Sequence, residues 1–261
     1  MFVHDRHKQI VDRLVRRPRW TVTQLQREMR VSRSTLRRDL LELEERGDLV
    51  RVHGGVVHRD FLQGEPTFDR RGREAVVAKR AIALAAAELV AENAAVYLDA
   101  GTTCLEVGRH LLLRADVKLF THSLRLASDA AASDAAASVV LIGGEVRKVS
   151  QAVVGGLSLG WLDQLRFDTA FVACSGVAAE GASTTELTEA AIKQSILSRS
   201  RQSVLVADAG KWDRPAAVRF AGLNQFETWV VDAALDKAAR QAAEAVGVRV
   251  IVAKERTAEA K

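Results

Sequence analysis

The sequence predicts an α/β chain in two parts, a small helical N-terminal module and a larger domain with a mostly parallel sheet. Three observations predict it. From residue 75 onward, short apolar runs alternate with helical segments, the pattern of strands joined by crossover helices. Several of those runs end in Gly, Thr, Asp or Lys, where a strand would pass into a loop. Finally, all of the excess positive charge lies at the N-terminal end. Residues 1–60 hold 14 Lys and Arg against 9 Asp and Glu. Out of 38 basic and 33 acidic residues, that leaves 24 of each for the rest. A basic module on a neutral body suits a polyanion-binding head, although a solvated basic helix face would carry the same charge.

The 261 residues suffice for two domains. With 48% hydrophobic and 27% charged residues, a sizeable core is available and wholesale disorder is excluded. No apolar stretch is long enough for a membrane span. The start, Met1-Phe-Val-His-Asp-Arg, lacks the apolar core of a secretory signal. Cys104 and Cys174 lack the spacing of a zinc site or a disulfide framework. The expectation is a cytoplasmic protein with no metal, no cofactor and no membrane partner.

Within the head, Ile10, Val11, Leu14 and Val15 form the apolar stripe of a first helix over His4–Val15. Arg16-Arg17-Pro18-Arg19 breaks it. Thr21-Val-Thr-Gln24 has the form of a capping box, and Leu25 and Met29 continue the apolar face of a short second helix. Ser32 is a good N-cap for a third. Its leucines, Leu36, Leu40 and Leu43, point inward, and Gly47 closes it. Leu49–His53 then alternates apolar with polar, and Gly54-Gly55 turns it back as a hairpin. Two short helices, a tight turn and a wing make a winged helix-turn-helix. The third helix presents Arg33, Ser34, Thr35, Arg37 and Arg38, side chains that suit guanine edges and phosphates.

These residues carry a resemblance. Val31-Ser-Arg-Ser-Thr-Leu-Arg-Arg-Asp-Leu40, then Leu43-Glu, Gly47 and Arg51-Val-His-Gly-Gly55, resembles the DNA-binding signature of the DeoR/GlpR-type repressors. The resemblance implies that Arg33 and Ser34 help to choose the operator and that Arg37 and Arg38 hold double-stranded DNA. Thr21, Ser32, Thr35, Arg51 and His53 complete the expected DNA-binding set. Asp39 is expected to pair internally with an arginine, because phosphate would repel it.

Residues 58–72 read as irregular, punctuated by Gly64, Pro66 and Gly72. The expected division is therefore a DNA-binding domain over 1–58, a linker over 59–74, and a sensor and oligomerisation domain over 75–261. In the resembling family a Glu-x-x-Phe-x-x-Arg segment lies in the linker, and Glu65, Phe68 and Arg71 fit it.

Apolar runs at Val96–Leu98, Val117–Phe120, Val139–Ile142, Ala170–Ala173, Val204–Ala207, Trp229–Val231 and Val248–Val252 are read as strands. Helices fall between most of them. Ligands bind outside the carboxyl ends of such strands. There Asp99-Ala-Gly-Thr-Thr103 opens a helix, and glycine, two hydroxyls and free amides suit the phosphate of a small metabolite; a plain helix cap is the alternative. Its spacing fits neither a Walker loop nor a dinucleotide loop. The other ends are Thr121-His-Ser123, Gly143-Gly144-Glu-Val-Arg147, Ser175-Gly176 and Asp208-Ala-Gly-Lys211. Together they give the candidate ligand residues Asp99, Gly101, Thr102, Thr103, Thr121, His122, Gly143, Gly144, Arg147, Gly176, Lys193, Asp208 and Lys211.

The same segments resemble the DeoR-type sensor domain, whose fold is shared with ribose-5-phosphate isomerases. The resemblance implies phosphate on Gly101–Thr103 and sugar hydroxyls near Asp99, Gly144, Lys193, Asp208 and Lys211. His122 stands where the family often has Asn, and Ala209-Gly210 where it often has two serines. The resulting expectation is a repressor of carbohydrate metabolism, a homo-oligomer (dimer or tetramer) that a phosphorylated sugar releases from its operator. An isomerase carrying a DNA-binding head is the alternative. However, the strand that would carry that enzyme's acidic cluster ends Ala173-Cys-Ser-Gly-Val-Ala-Ala179, without a carboxylate, so no catalytic residue is assigned. A redox switch at Cys104 and Cys174 lacks a basic neighbour in sequence to activate a thiolate.

Overall fold

The computed structural model describes residues 3–16, 19–52, 54–58 and 65–253. It divides into two compact units, Met1–Pro66 and Thr67–Lys261.

In the first unit, α1 (Val3–Arg16), α2 (Val22–Met29) and α3 (Arg33–Glu45) enclose Ile10, Leu14, Leu25, Leu36, Leu40 and Leu43. The Thr21–Gln24 capping box forms in both directions, each bond 3.1 Å long. Arg30 takes a left-handed conformation, φ 51°, in the turn into α3. Strands β2 (Leu49–Val52) and β3 (Gly55–His58) make the hairpin. A third strand, β1 (Arg19–Thr21), pairs antiparallel with β3. Three residues are too few for an alternation to register, so periodicity did not predict it. The pairing explains why Gly55 is glycine, since a Cβ there would collide with the Trp20 carbonyl oxygen.

The second unit starts with a difference from the sequence reading. The segment read as irregular contains a helix, α4 (Phe68–Arg73). Thr67 caps it by accepting from the Arg70 amide at 3.3 Å, Phe68 is buried, and the Phe68 amide donates to Val149 O at 2.8 Å. Gly72 hides the helix from a local reading. Then follow α5 (Val76–Ala87), β4 (Ala95–Leu98), α6 (Thr102–Leu111), β5 (Lys118–Thr121), α7 (Leu124–Ala131) and β6 (Ser138–Leu141). After them come β7 (Glu145–Arg147), β8 (Ala152–Val154), α8 (Gly156–Leu162), β9 (Phe167–Val172), β10 (Gly176–Ala178), β11 (Gly181–Thr184) and α9 (Leu187–Ser198). The unit closes with β12 (Ser200–Val206), β13 (Val218–Ala221), β14 (Thr228–Val231), α10 (Lys237–Ala245) and β15 (Arg249–Val252).

The seven predicted apolar runs become one parallel sheet in the order β15-β14-β12-β9-β4-β5-β6. Successive side chains alternate between two cores. Val96, Leu98, Phe171, Val204, Val206 and Val230 pack on one face with residues of α5 and α6, such as Ile82 and Val107. Tyr97, Ala170, Val172, Leu205, Trp229 and Val231 pack on the other with residues of α8, α9 and α10, such as Leu162, Ile196 and Ala239. Burial on both faces is the reason that the strands read as unbroken apolar runs. Two smaller antiparallel sheets, β7-β8 and β10-β11-β13, are built from segments that the sequence reading left as loops or unassigned.

Candidate functional site

On the first unit the candidate face is α3. Ser32 caps it, accepting from the Thr35 amide at 3.1 Å, and its hydroxyl lies 2.7 Å from that of Thr35. Arg33, Ser34, Arg37 and Arg38 are exposed, four positions that follow one another round one side of a helix. None of the three arginines makes an ion pair with a described residue, so their charge is free to meet a polyanion. Asp39 in the same motif points the other way. It is buried and accepts from Arg6 Nε at 2.6 Å and Nη2 at 2.7 Å, with His7 Nε2 at 3.1 Å. The charge argument that took Asp39 off the DNA face thus has its partner, on α1. Arg51 is exposed on β2, and its amide donates to Glu44 Oε1 at 3.2 Å. Thr21 is exposed but already engaged as a cap. His53 lies outside the described residues.

On the second unit, Asp99, Gly101, His122 and Lys193 come together. They line one pocket with Arg71, Ser150, Ala173, Cys174, Thr184 and Glu189. Asp99 follows β4, and its carboxylate is occupied. It accepts from the Ala100 and Ala173 amides, both at 2.9 Å, and from the Lys193 ammonium. Burial opposes charging Asp99, but the charge and hydrogen bond of Lys193, helped by the Ala173 amide, outweigh it, so its pKa lies below the usual range. Burial likewise opposes the Lys193 charge and Asp99 restores it, leaving that pKa raised.

His122 is fully enclosed. Burial, with the Lys193 charge, lowers its pKa to about 4 against the pull of Asp99. A neutral imidazole has one N–H to give, and a carboxylate can only accept. The hydrogen therefore sits on Nε2, 3.5 Å from Asp99 Oδ1, and Nδ1 accepts from the Tyr97 phenol at 2.8 Å. Glu189 closes the network, 3.1 Å from Arg147 Nη1 and 3.3 Å from Thr184 Oγ1.

Gly101 sits at the N-terminus of α6 without a side-chain cap, so the amides of Thr102, Thr103 and Cys104 lack intrahelical acceptors. Any larger residue at Gly101 would push its Cβ to 2.5 Å from Ala173 Cβ. Thr103 is buried behind this turn. Thr121 lies deeper, with its hydroxyl donating to Leu98 O at 2.7 Å. Lys211 adjoins the pocket through Cys174, donating to its carbonyl at 2.5 Å, while Asp208 is half-exposed at the start of the same turn. Gly143 and Gly144 are exposed at the β6–β7 turn. Gly144 takes φ 155°, where a Cβ would strike Ser158 Oγ. Gly176 begins β10 against the backbone of Arg214.

Sequence reasoning missed Arg71, Ser150, Thr184 and Glu189 as pocket residues. Only Glu189 left a local signal, because four residues before Lys193 it shares a helix face with it. Thr102 instead borders a larger groove of about 130 Å³, with Phe68, Asp69, Lys79 and Arg109. Arg109 there already pairs with Glu106 at 2.7 Å and Asp129 at 2.9 Å. The smaller pocket, about 20 Å³, has room for about one water. It nonetheless holds the uncapped helix end and the buried charges, so it is the stronger candidate. Both cysteines are buried. Burial pushes the Cys104 pKa well above the ordinary value and that of Cys174 to about 11, which leaves the thiols protonated and redox switching without a nucleophile. No helix among the described residues is long and apolar enough to cross a membrane.

Two family models match the chain. One is the DeoR-like helix-turn-helix domain, over residues 6–60; the other is the DeoR C terminal sensor domain, over residues 74–233. Among similar curated proteins is the HTH-type transcriptional regulator GlpR of Haloferax volcanii, 33% identical over 96% of this chain and 98% of its own length. The glycerol-3-phosphate regulon repressor of Escherichia coli is 28% identical over 88% of this chain and 90% of its own. The transcriptional repressor GlcR of Bacillus subtilis is 27% identical over 89% of each. Among solved structures, ribose 5-phosphate isomerase A of Methanocaldococcus jannaschii shares 17% identity over 51% of this chain and 53% of its own, at a TM-score of 0.37.

Proposed function

The chain belongs to the DeoR family of helix-turn-helix transcription regulators, and on that footing we propose that it represses a carbohydrate-metabolism operon in the cytoplasm until a phosphorylated sugar releases it. It is a DNA-binding regulator and not an enzyme. The observation that carries the effector reading is the uncapped N-terminus of α6 at Gly101, beside a buried cluster of charges. A phosphate there accepts from backbone amides aligned with the helix dipole. Lys193, Asp99 and Glu189 hold the wall of the pocket, while Lys211 and Asp208 stand at the neighbouring strand end. The names of the relatives support the ligand class, since one is a repressor of a glycerol-3-phosphate regulon.

To act as a switch, the ligand must bind one arrangement of the DNA-binding heads better than another. In this reading the occupied arrangement fits the operator poorly. A thermal-shift screen of phosphorylated sugars against their unphosphorylated forms tests it. A bound phosphosugar raises the melting temperature, and the unphosphorylated form binds at least about a hundredfold more weakly. No shift with any phosphosugar would sink the proposal. A Thr102→Val, Thr103→Val double variant keeps the side-chain shape and removes both hydroxyls. It is expected to bind operator normally but to need far more ligand for release. Unchanged release would show that neither hydroxyl touches the phosphate and would leave the backbone amides of α6 as its donors there.

One winged helix reads only a half-site, so useful affinity calls for two heads. The reading therefore includes self-association through the second unit. Sedimentation of the full chain as a monomer at micromolar concentration would remove that part.

A further inference from the structure

Among the described residues of this pocket, Arg71 and Ser150 have buried polar side-chain atoms without a partner, and of the two only Arg71 carries a charge. Its Nε and Nη2 atoms are buried and have no hydrogen-bond partner among the described residues. Those two nitrogens form one edge of the guanidinium fork, with parallel N–H bonds spaced for two oxygens of a single anion. In the first unit Arg6 uses the same two atoms to take both oxygens of Asp39, at 2.6 and 2.7 Å. Arg71 shares its pocket with two carboxylates, but both are committed. Asp99 serves Lys193 and two amides, and Glu189 serves Arg147 and Thr184. Burying an unpaired cation edge is costly, so its placement beside Gly101 calls for an anion from outside the chain.

The backbone that carries this side chain is firmly held. The buried Lys79 ammonium donates to the carbonyls of Arg71 and of Glu74, the latter at 2.6 Å, and so satisfies the C-terminal end of α4. Meanwhile the Phe68 side chain anchors the other end in the core of the second unit. The pocket holds about one water as it stands. Any phosphate ester must therefore displace part of the lining, and α4 is its shortest helix.

We propose that Arg71 is the bidentate ligand of the effector's phosphate, gripping from α4 the anion whose other side faces the α6 amides. This rests on the phosphate reading of the pocket. It adds a regulatory consequence, because α4 begins directly after the boundary between the two units. Occupancy is then felt first by the element from which the chain runs to the DNA-binding head.

The test uses the full chain, with inorganic phosphate as the probe. Phosphate affinity is measured by calorimetry for wild type, Arg71→Lys and Arg71→Gln, after each variant's unliganded melt confirms folding. Hydrogen exchange of residues 68–73 is followed in wild type with and without phosphate. The expected order of affinity is wild type, then Arg71→Lys, then Arg71→Gln, with the glutamine variant weaker by about tenfold or more. Exchange in α4 is expected to slow on binding. If wild type binds phosphate and Arg71→Gln binds it equally well, the role of Arg71 is refuted while the pocket stands. Equal binding by Arg71→Lys would refute the bidentate geometry. Unchanged exchange in α4 would refute the regulatory consequence, and that readout holds even if the glutamine variant does not fold. If wild type binds neither phosphate nor any phosphosugar, it is the effector reading itself that fails.

Discussion

Alanine at Asp99 is expected to cost the second unit about 3–5 kcal/mol of stability, the range for leaving one partner of a buried ion pair alone. The substitution strips Lys193 of its carboxylate in a place where its ammonium keeps, among the described residues, one hydrogen bond, to the Ala173 carbonyl at 3.0 Å. It also deprives the Ala100 and Ala173 amides of their acceptor and removes the group that His122 faces. Asp99 thus joins β4, the segment after β9, and α9 by a single side chain. Urea unfolding of the full chain, followed by tryptophan fluorescence to which the buried Trp229 contributes, measures the loss. A change below about 1 kcal/mol would show that Lys193 finds water or another acceptor and that the pair is not structural. Asn at this position keeps the volume but not the charge. It is expected to fall between wild type and alanine, since it can accept from the amides but leaves the ammonium uncompensated.

The second large effect concerns DNA. Arg37→Ala and Arg38→Ala are each expected to weaken operator binding by about tenfold at 0.1 M salt and to lower the slope of log affinity against log salt by about one. Both side chains are exposed without a described partner, so their loss should leave the melting temperature within experimental scatter. The affinity change can then be assigned to the lost phosphate contact rather than to the fold. Anisotropy titration across salt concentrations reads both quantities, with a duplex that wild type has selected from a random pool. An unchanged slope would exclude phosphate contact by that arginine. Arg33 and Ser34 behave differently in this account: their substitution redistributes preference among duplexes and leaves the slope nearly the same. Those are the outcomes for side chains that read base edges.

Much of this architecture is written locally. The strands of the main sheet were legible because helices cover both faces, so that the buried part of each strand reads as an apolar run. Strands β1, β7, β8, β10, β11 and β13 were not, because runs of three or four residues are too short to carry a period. Helix α4 was hidden by its own Gly72 and is held by Phe68 and Lys79, contacts no local pattern announces. The glycine-threonine turn could be found because its position after a strand and before a helix is itself a sequence pattern. What its neighbours do could not. His122 reads as a ligand-facing histidine, yet both of its ring nitrogens are turned to Tyr97 and Asp99. Thr121 reads as part of a polar strand end, yet its hydroxyl is spent on Leu98 O.

The sequence by itself determined the helices of the head and their caps, the exposed basic face of α3, the parallel sheet, and the placing of an anion-ready turn at the start of α6. Each depends on residues within about one or two turns of one another, where helix periodicity and capping act. Only the tertiary structure decided that Lys193, 94 residues from Asp99, neutralises it, and that Arg71 stands in the same pocket with an unpaired edge. Charge pairing in a low-dielectric interior depends on distances of a few ångströms between elements remote along the chain. Those distances exist only after the sheet has set its strand order, which no local pattern contains.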